Sequence, residues 1–158
     1  MRQPHNVLVI PFLRGQASEP RFCVLRRADE GWWQWVAGGV EDGESPVEAA
    51  LRETKEEIGL EGTLFSLDTR ASVPKTAFLA HSTWPNSLYI VEEHAFAIEL
   101  ATPSLTLSPE HKEFDWLDYE SAFQRLRWQS NQTALWELNQ RIRDNNLTES
   151  FRLEETPS

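Results

Sequence analysis

An α/β fold, a mixed sheet covered by helices, is predicted by three observations. Short apolar runs rich in strand formers recur along the chain, helical segments fall among them without strict βα alternation, and one helix carries a full set of start and stop signals. Val7-Leu8-Val9-Ile10 reads as a first strand ending at Pro11, and Arg21 to Arg27 as a second, with turn residues from Arg14 to Pro20 between them. Ala28 to Gly31 form another loop before the aromatic cluster Trp32-Trp33-Gln34-Trp35-Val36. Leu64 to Leu67 and Ala95 to Leu100 look like further strands, with a long polar and aromatic connection between Val73 and Leu88. Phe114 to Leu117 alternates like a short strand, and two helical segments follow, Tyr119 to Arg127 and roughly Asn131 to Arg143.

Ser45 to Ile58 is the strongest helix. Ser45 can serve as N-cap, Pro46 suits the first helical position, Glu48 completes a capping box with Ser45, and Gly59 is placed to end the helix. Val47, Ala50, Leu51, Thr54 and Ile58 recur at helical spacing and predict the buried face.

A chain of 158 residues fits one domain, read here as residues 1–143, with 144–158 a frayed, flexible tail. Its net charge of −10 and pI near 4.8 exclude broad binding to nucleic-acid polymers or anionic membranes, which needs a basic face. A small anion could still bind through a cation or a local basic cluster. The single cysteine, Cys23, lies in an apolar run and predicts a buried structural thiol. The N-terminal apolar run is too short to span a membrane and lacks a cleavage site, so the expected compartment is the cytoplasm.

From Gly38 to Leu60 acidic residues crowd the sequence, although the chain is already strongly negative. Glu53, Glu56 and Glu57 stand at i, i+3 and i+4 and project beside the buried face. Like charges so spaced oppose one another, and a divalent cation would reverse the sign of that cost. Hard oxygen ligands suit Mg²⁺, or Mn²⁺, held by a few carboxylates together with substrate phosphates. A merely solvated helix face is the alternative that the pentapeptide Glu53-Thr54-Lys55-Glu56-Glu57 alone would leave open.

The spacing of the whole stretch decides between them. Gly38, Glu44, Arg52-Glu53, Glu56-Glu57 and Gly59 resemble the Nudix box, Gly-x5-Glu-x7-Arg-Glu-U-x-Glu-Glu-x-Gly-U, at every fixed position. Thr54 departs from the aliphatic residue the pattern wants. The resemblance implies a Nudix-type α/β/α sandwich with a mixed β-sheet that hydrolyses a nucleoside diphosphate linked to another group. It implies that Glu53, Glu56, Glu57 and the backbone of Gly38 hold divalent ions. Arg52 and Glu44 would form the ion pair that orients them, and Gly38 and Gly39 would let the backbone approach metal and phosphates. Glu56 is the general base expected within the box, and Glu110, in the loop Ser108 to Glu113, the acid expected outside it. His111 reads equally as a solvated loop histidine or a contributor.

Weaker similarities point to a substrate. Trp33-Gln34, Val36, Gly38, Val40-Glu41, Glu110, Trp116-Leu117 and Trp128-Gln129-Ser130-Asn131 are similar to the bacterial dihydroneopterin triphosphate pyrophosphatases. The implied substrate is a pterin or purine nucleoside triphosphate, the product pyrophosphate, and the enzyme a monomer or homodimer. Trp33 is a candidate for stacking on the ring, Arg27 for a phosphate contact and Lys75 for a second one. Trp116 and Trp136 are expected in the core. ADP-ribose, diadenosine polyphosphates or a damaged nucleotide are alternative substrates, and a non-catalytic nucleotide-binding module is the alternative from another class.

Overall fold

In the computed structural model, which describes residues 1–15 and 19–151, eight strands form one mixed sheet with helices on both faces. The strands are β1 (Arg2–Leu13), β2 (Arg21–Arg27), β3 (Trp33–Gln34), β4 (Val36–Glu41), β5 (Thr63–Pro74), β6 (Ile90–Glu99), β7 (His111–Leu117) and β8 (Thr148–Phe151). The helices are α1 (Pro46–Ile58), α2 (Tyr119–Arg125) and α3 (Gln129–Arg143). The middle of the expected turn from Arg14 to Pro20 and the last residues of the expected tail, 152–158, lie outside the described residues.

β1 is the axis of the sheet. It runs parallel to β6 along one edge, and its other edge is antiparallel first to β4 and then to β2. The sheet therefore opens between β4 and β2, with β7 continuing beyond β2. The first strand outruns its sequence expectation because pairing partners, not local propensity, set its ends. Pro11 falls between Val9, opposite Val36, and Phe12, opposite Phe22, where the change of partner makes a missing N–H cheapest. Within the expected tail, Thr148–Phe151 forms a short strand antiparallel to β5.

Alternation along the strands divides the interior into two cores. Leu8, Ile10 and Phe12 face α2 and α3 and pack with Trp35, Leu135 and Leu138. Val7 and Val9 face α1 and pack with Val36, Ala49, Ala50, Ile58 and Ile98. Cys23 is fully buried in this second core, and burial pushes its thiol above its usual range. Trp116 is half-buried against the same core, whereas Trp136 is 53% exposed, contrary to its expected core position. Helical spacing put it near the apolar face, but Leu135 and Leu138 take the inward positions. No helix among the described residues is long and apolar enough to cross a membrane.

Candidate active site

The N-terminus of α1 is built as its sequence requires. The Ser45 hydroxyl accepts from the Glu48 N–H at 3.1 Å, and the Glu48 carboxylate accepts from the Ser45 N–H at 2.9 Å. Gly59 ends the helix with φ +73°, a left-handed conformation open to glycine at little cost. Beyond it, the N–H groups of Thr106 and Ser108 donate to the carbonyls of Ile58 and Glu57. These bonds tie the loop before β7 to the end of the acidic helix.

Fixing the helix this way decides which acids turn inward. Ala49, Ala50, Thr54, Glu57 and Ile58 are buried, while Val47 and Leu51 pack at the margin. Thr54 replaces an aliphatic side chain without stranding its hydroxyl, which donates to the Ala50 carbonyl at 2.7 Å. Glu57 is only 1% exposed, Glu53 is mostly covered, and Glu56 is 57% exposed. The three glutamates thus differ sharply in environment, although helical spacing placed them together.

Arg52 fastens the outer side of this group. Its Nε and Nη2 donate to the two oxygens of Glu44 at 2.7 and 2.9 Å, a bidentate pair, and Nη1 reaches Glu53 at 2.8 Å. The same guanidinium donates to the Gly39 carbonyl at 2.8 Å and lies 3.3 Å from Glu56. The Arg52 hydrogen bonds hold the Glu44 carboxyl below its ordinary range. Gly38 is the slot for Glu53: a Cβ there would come within 2.1 to 2.4 Å of the Glu53 carboxylate atoms. Only glycine fits.

On the inner side, Glu57 Oε1 lies 2.7 Å from His111 Nε2, with both groups buried. Glu110 completes a cluster with them in which the ligand atoms are all within 4.8 Å of one another. Glu57 Oε2 and His111 Nδ1 are buried without partners. Burial first, and the neighbouring Glu53 and Glu110 second, push the Glu57 carboxyl far up; burial pushes His111 down to about 4. Burial also raises Glu53. A pair of carboxyls so desolvated must share a proton or meet a cation. The orphaned Glu57 oxygen, the all-oxygen character of the nearby acids and the glycine slot over Glu53 fit a hard divalent ion.

The remaining sequence candidates are distributed around this centre. Arg27, paired with His111 across β2 and β7, is closed on Asp29 by two bonds of 2.8 and 2.7 Å. Trp33 packs on the α2–α3 core beneath the Arg125 guanidinium, 4.8 Å from its ring centroid. Lys75 lies after β5, 5.0 Å from the Tyr89 ring centroid, and its contacts involve no residue of the acidic stretch. Gly39 faces Arg2, a residue that sequence reading missed, as it missed the burial of His111. The expected strand began at Val7, so nothing local placed Arg2 on the sheet.

Residues 2–136 match the model of the NUDIX domain. The chain belongs to the Nudix hydrolase family. Among curated relatives of this Nudix hydrolase, the dihydroneopterin triphosphate diphosphatase of Escherichia coli is 30% identical over 139 residues, which cover 85% of this chain and 91% of that one. An octanoyltransferase of Myxococcus xanthus is 37% identical over 129 residues, but this match takes in 80% of the present chain and only 34% of that longer protein. A NUDIX hydrolase structure from Listeria monocytogenes superposes with a TM-score of 0.81 at 47% identity, covering 92% of this chain and 98% of that chain. The E. coli dihydroneopterin triphosphate pyrophosphohydrolase structure gives 0.70 at 26% identity, covering 87% and 97%. The α/β/α sandwich with a mixed sheet is therefore the family's fold, and the enzyme class is hydrolysis of phosphoric anhydrides.

Proposed function

We propose that this chain hydrolyses a small nucleoside triphosphate-like molecule, a pterin or purine triphosphate, and releases pyrophosphate with the help of Mg²⁺ or Mn²⁺. The observation that carries the proposal is the desolvated Glu53–Glu57 pair, closed over by Gly38 and left with an unpartnered oxygen. Glu53, Glu56, Glu57 and the Gly38 carbonyl would hold the divalent ion. When bound, such an ion neutralises phosphate charge, polarises phosphorus and acidifies water.

The chain's own residues do the rest. Arg52, gripping Glu44, Glu53 and the Gly39 carbonyl, keeps the carboxylates in one geometry while charge passes through the site. His111 takes up Glu57 Oε1 and so leaves Oε2 as the buried oxygen without a partner. Glu110 is exposed yet within the same cluster, so it takes the proton from the attacking water, and Glu56 remains a ligand at the solvent side. Oxygen attack on phosphorus breaks the anhydride bond and pyrophosphate leaves. The choice of a triphosphate rests on similarity to the E. coli diphosphatase over nearly its whole length. A cytoplasmic location, where such nucleotides are found, belongs to the same proposal.

A substrate panel tests this reading. Dihydroneopterin triphosphate, purine triphosphates, ADP-ribose and diadenosine tetraphosphate, each with Mg²⁺, are followed by phosphorus NMR for the products released. Pyrophosphate from a triphosphate at a kcat/KM at least tenfold above the dinucleotides is expected. Turnover of ADP-ribose alone would refute the substrate class while leaving the family intact.

A further inference from the structure

The basic groups around the acidic helix are mostly committed to carboxylates. Arg52 grips Glu44 and Glu53, Arg27 is closed on Asp29, and Arg26 is paired with Glu113 at 2.9 Å. Arg2 differs: among the described residues it has no carboxylate within ion-pair distance. Its Nη2 donates to the neutral amide of Asn6 at 2.9 Å, and its Nε is buried without any partner.

This guanidinium is nevertheless held firmly. Its Cζ lies 4.6 Å from the Phe78 ring centroid, and Trp84, edge-on to Phe78, donates its indole N–H to the Arg2 carbonyl at 3.0 Å. Asn6 is 5% exposed and in turn donates to Glu93 Oε2 at 2.7 Å, so its oxygen is oriented toward Arg2. The guanidinium occupies the space beside Gly39 that any larger residue would need: a Cβ there would come within 2.5 Å of both Cζ and Nε. Successive glycines thus make two slots on β4. Gly38 receives the Glu53 carboxylate and Gly39 the Arg2 guanidinium, and Glu53 is the leading charge felt by Arg2.

Packing alone accounts for the stack on Phe78. It does not account for a donor kept free and buried beside a metal-binding carboxylate, because buried polar groups otherwise find partners. We propose that Arg2 is a substrate-binding residue that contacts a phosphate oxygen of the anhydride, and that Asn6, braced by Glu93, is its positioning residue. This rests on the pyrophosphohydrolase reading above. Planar guanidinium donors suit phosphate oxygens, and among the described residues Arg2 stands beside Glu53 with no carboxylate within ion-pair distance.

Isothermal titration with imidodiphosphate and Mg²⁺ reads binding without turnover. Arg2→Gln is expected to weaken the affinity at least tenfold, Arg2→Lys by less, and Asn6→Ala by an intermediate factor, each with a native circular dichroism spectrum. With the best substrate of the panel, the Arg2→Gln loss should fall mainly on KM. A natively folded Arg2→Gln protein that binds imidodiphosphate as the wild type does overturns the Arg2 assignment and leaves the enzyme reading standing. Wild-type protein that neither binds imidodiphosphate nor hydrolyses any panel substrate overturns both.

Discussion

Glu57 answers two opposed demands on the proposed reading, since it is buried deeply enough to be held by His111 and would have to ionise to hold a cation. Its carboxyl is raised by burial, so it weakens the metal-free fold at neutral pH. A carboxyl whose folded pKa exceeds its unfolded value contributes fully below about 4.5, its ordinary value, and that contribution is lost as pH rises from there through the raised folded value. Glu57→Gln should therefore raise the Tm of metal-free protein by roughly 3–10 °C at pH 7.5, with the gain shrinking toward pH 4. Differential scanning calorimetry across that range checks it. A lower Tm at pH 7.5 would mean that the Glu57–His111 bond outweighs the desolvation. At this scale the box acids, Arg52 and Gly38 were legible from spacing, because one helix and the strand before it carry them. His111 and Arg2 were not. Each owes its place to a strand partner distant in sequence, Arg27 for His111 and Glu41 for Arg2.

Helix α1 is the element on which these residues depend, and its ends are set by local chemistry that any reader of the sequence can find. Ser45, Pro46, Glu48 and Gly59 occupy the cap positions their types predict. Ser45→Ala removes the acceptor for the Glu48 N–H and should cost about 1 kcal/mol, a Tm drop of roughly 2–4 °C by thermal denaturation. No change in Tm would show that Glu48 or water replaces the cap. The helix's facing was only partly legible. Periodicity identified Ala50, Thr54 and Ile58 as inward, but Glu57 joins them because His111, at the start of β7, meets its carboxyl on that flank. Strand lengths were the least legible feature. β5 and β6 pair over Arg70–Pro74 and Ile90–His94, well beyond the apolar runs that signal them, and β8 exists only because β5 offers an edge.

At the scale of the whole molecule, the negative charge of the acidic helix is partly answered by Arg52, which pairs with Glu44, Glu53 and Glu56. The sheet separates two cores, and β1 and β4 bring Arg2, Gly38 and Gly39 beside Glu53 of the acidic helix. On the proposed reading, a protein of charge −10 that acts on a polyanion needs a cation where that polyanion meets the acidic helix. The most direct test is a Mg²⁺ titration of pyrophosphate release from the preferred triphosphate, for wild type and Glu57→Gln together. Wild-type activity should saturate with Mg²⁺, vanish on chelation and return on re-addition, while Glu57→Gln should lose at least a hundredfold in kcat/KM despite its higher Tm. Wild-type turnover that persists under chelation, or a Glu57→Gln enzyme as active as its parent, would contradict the account.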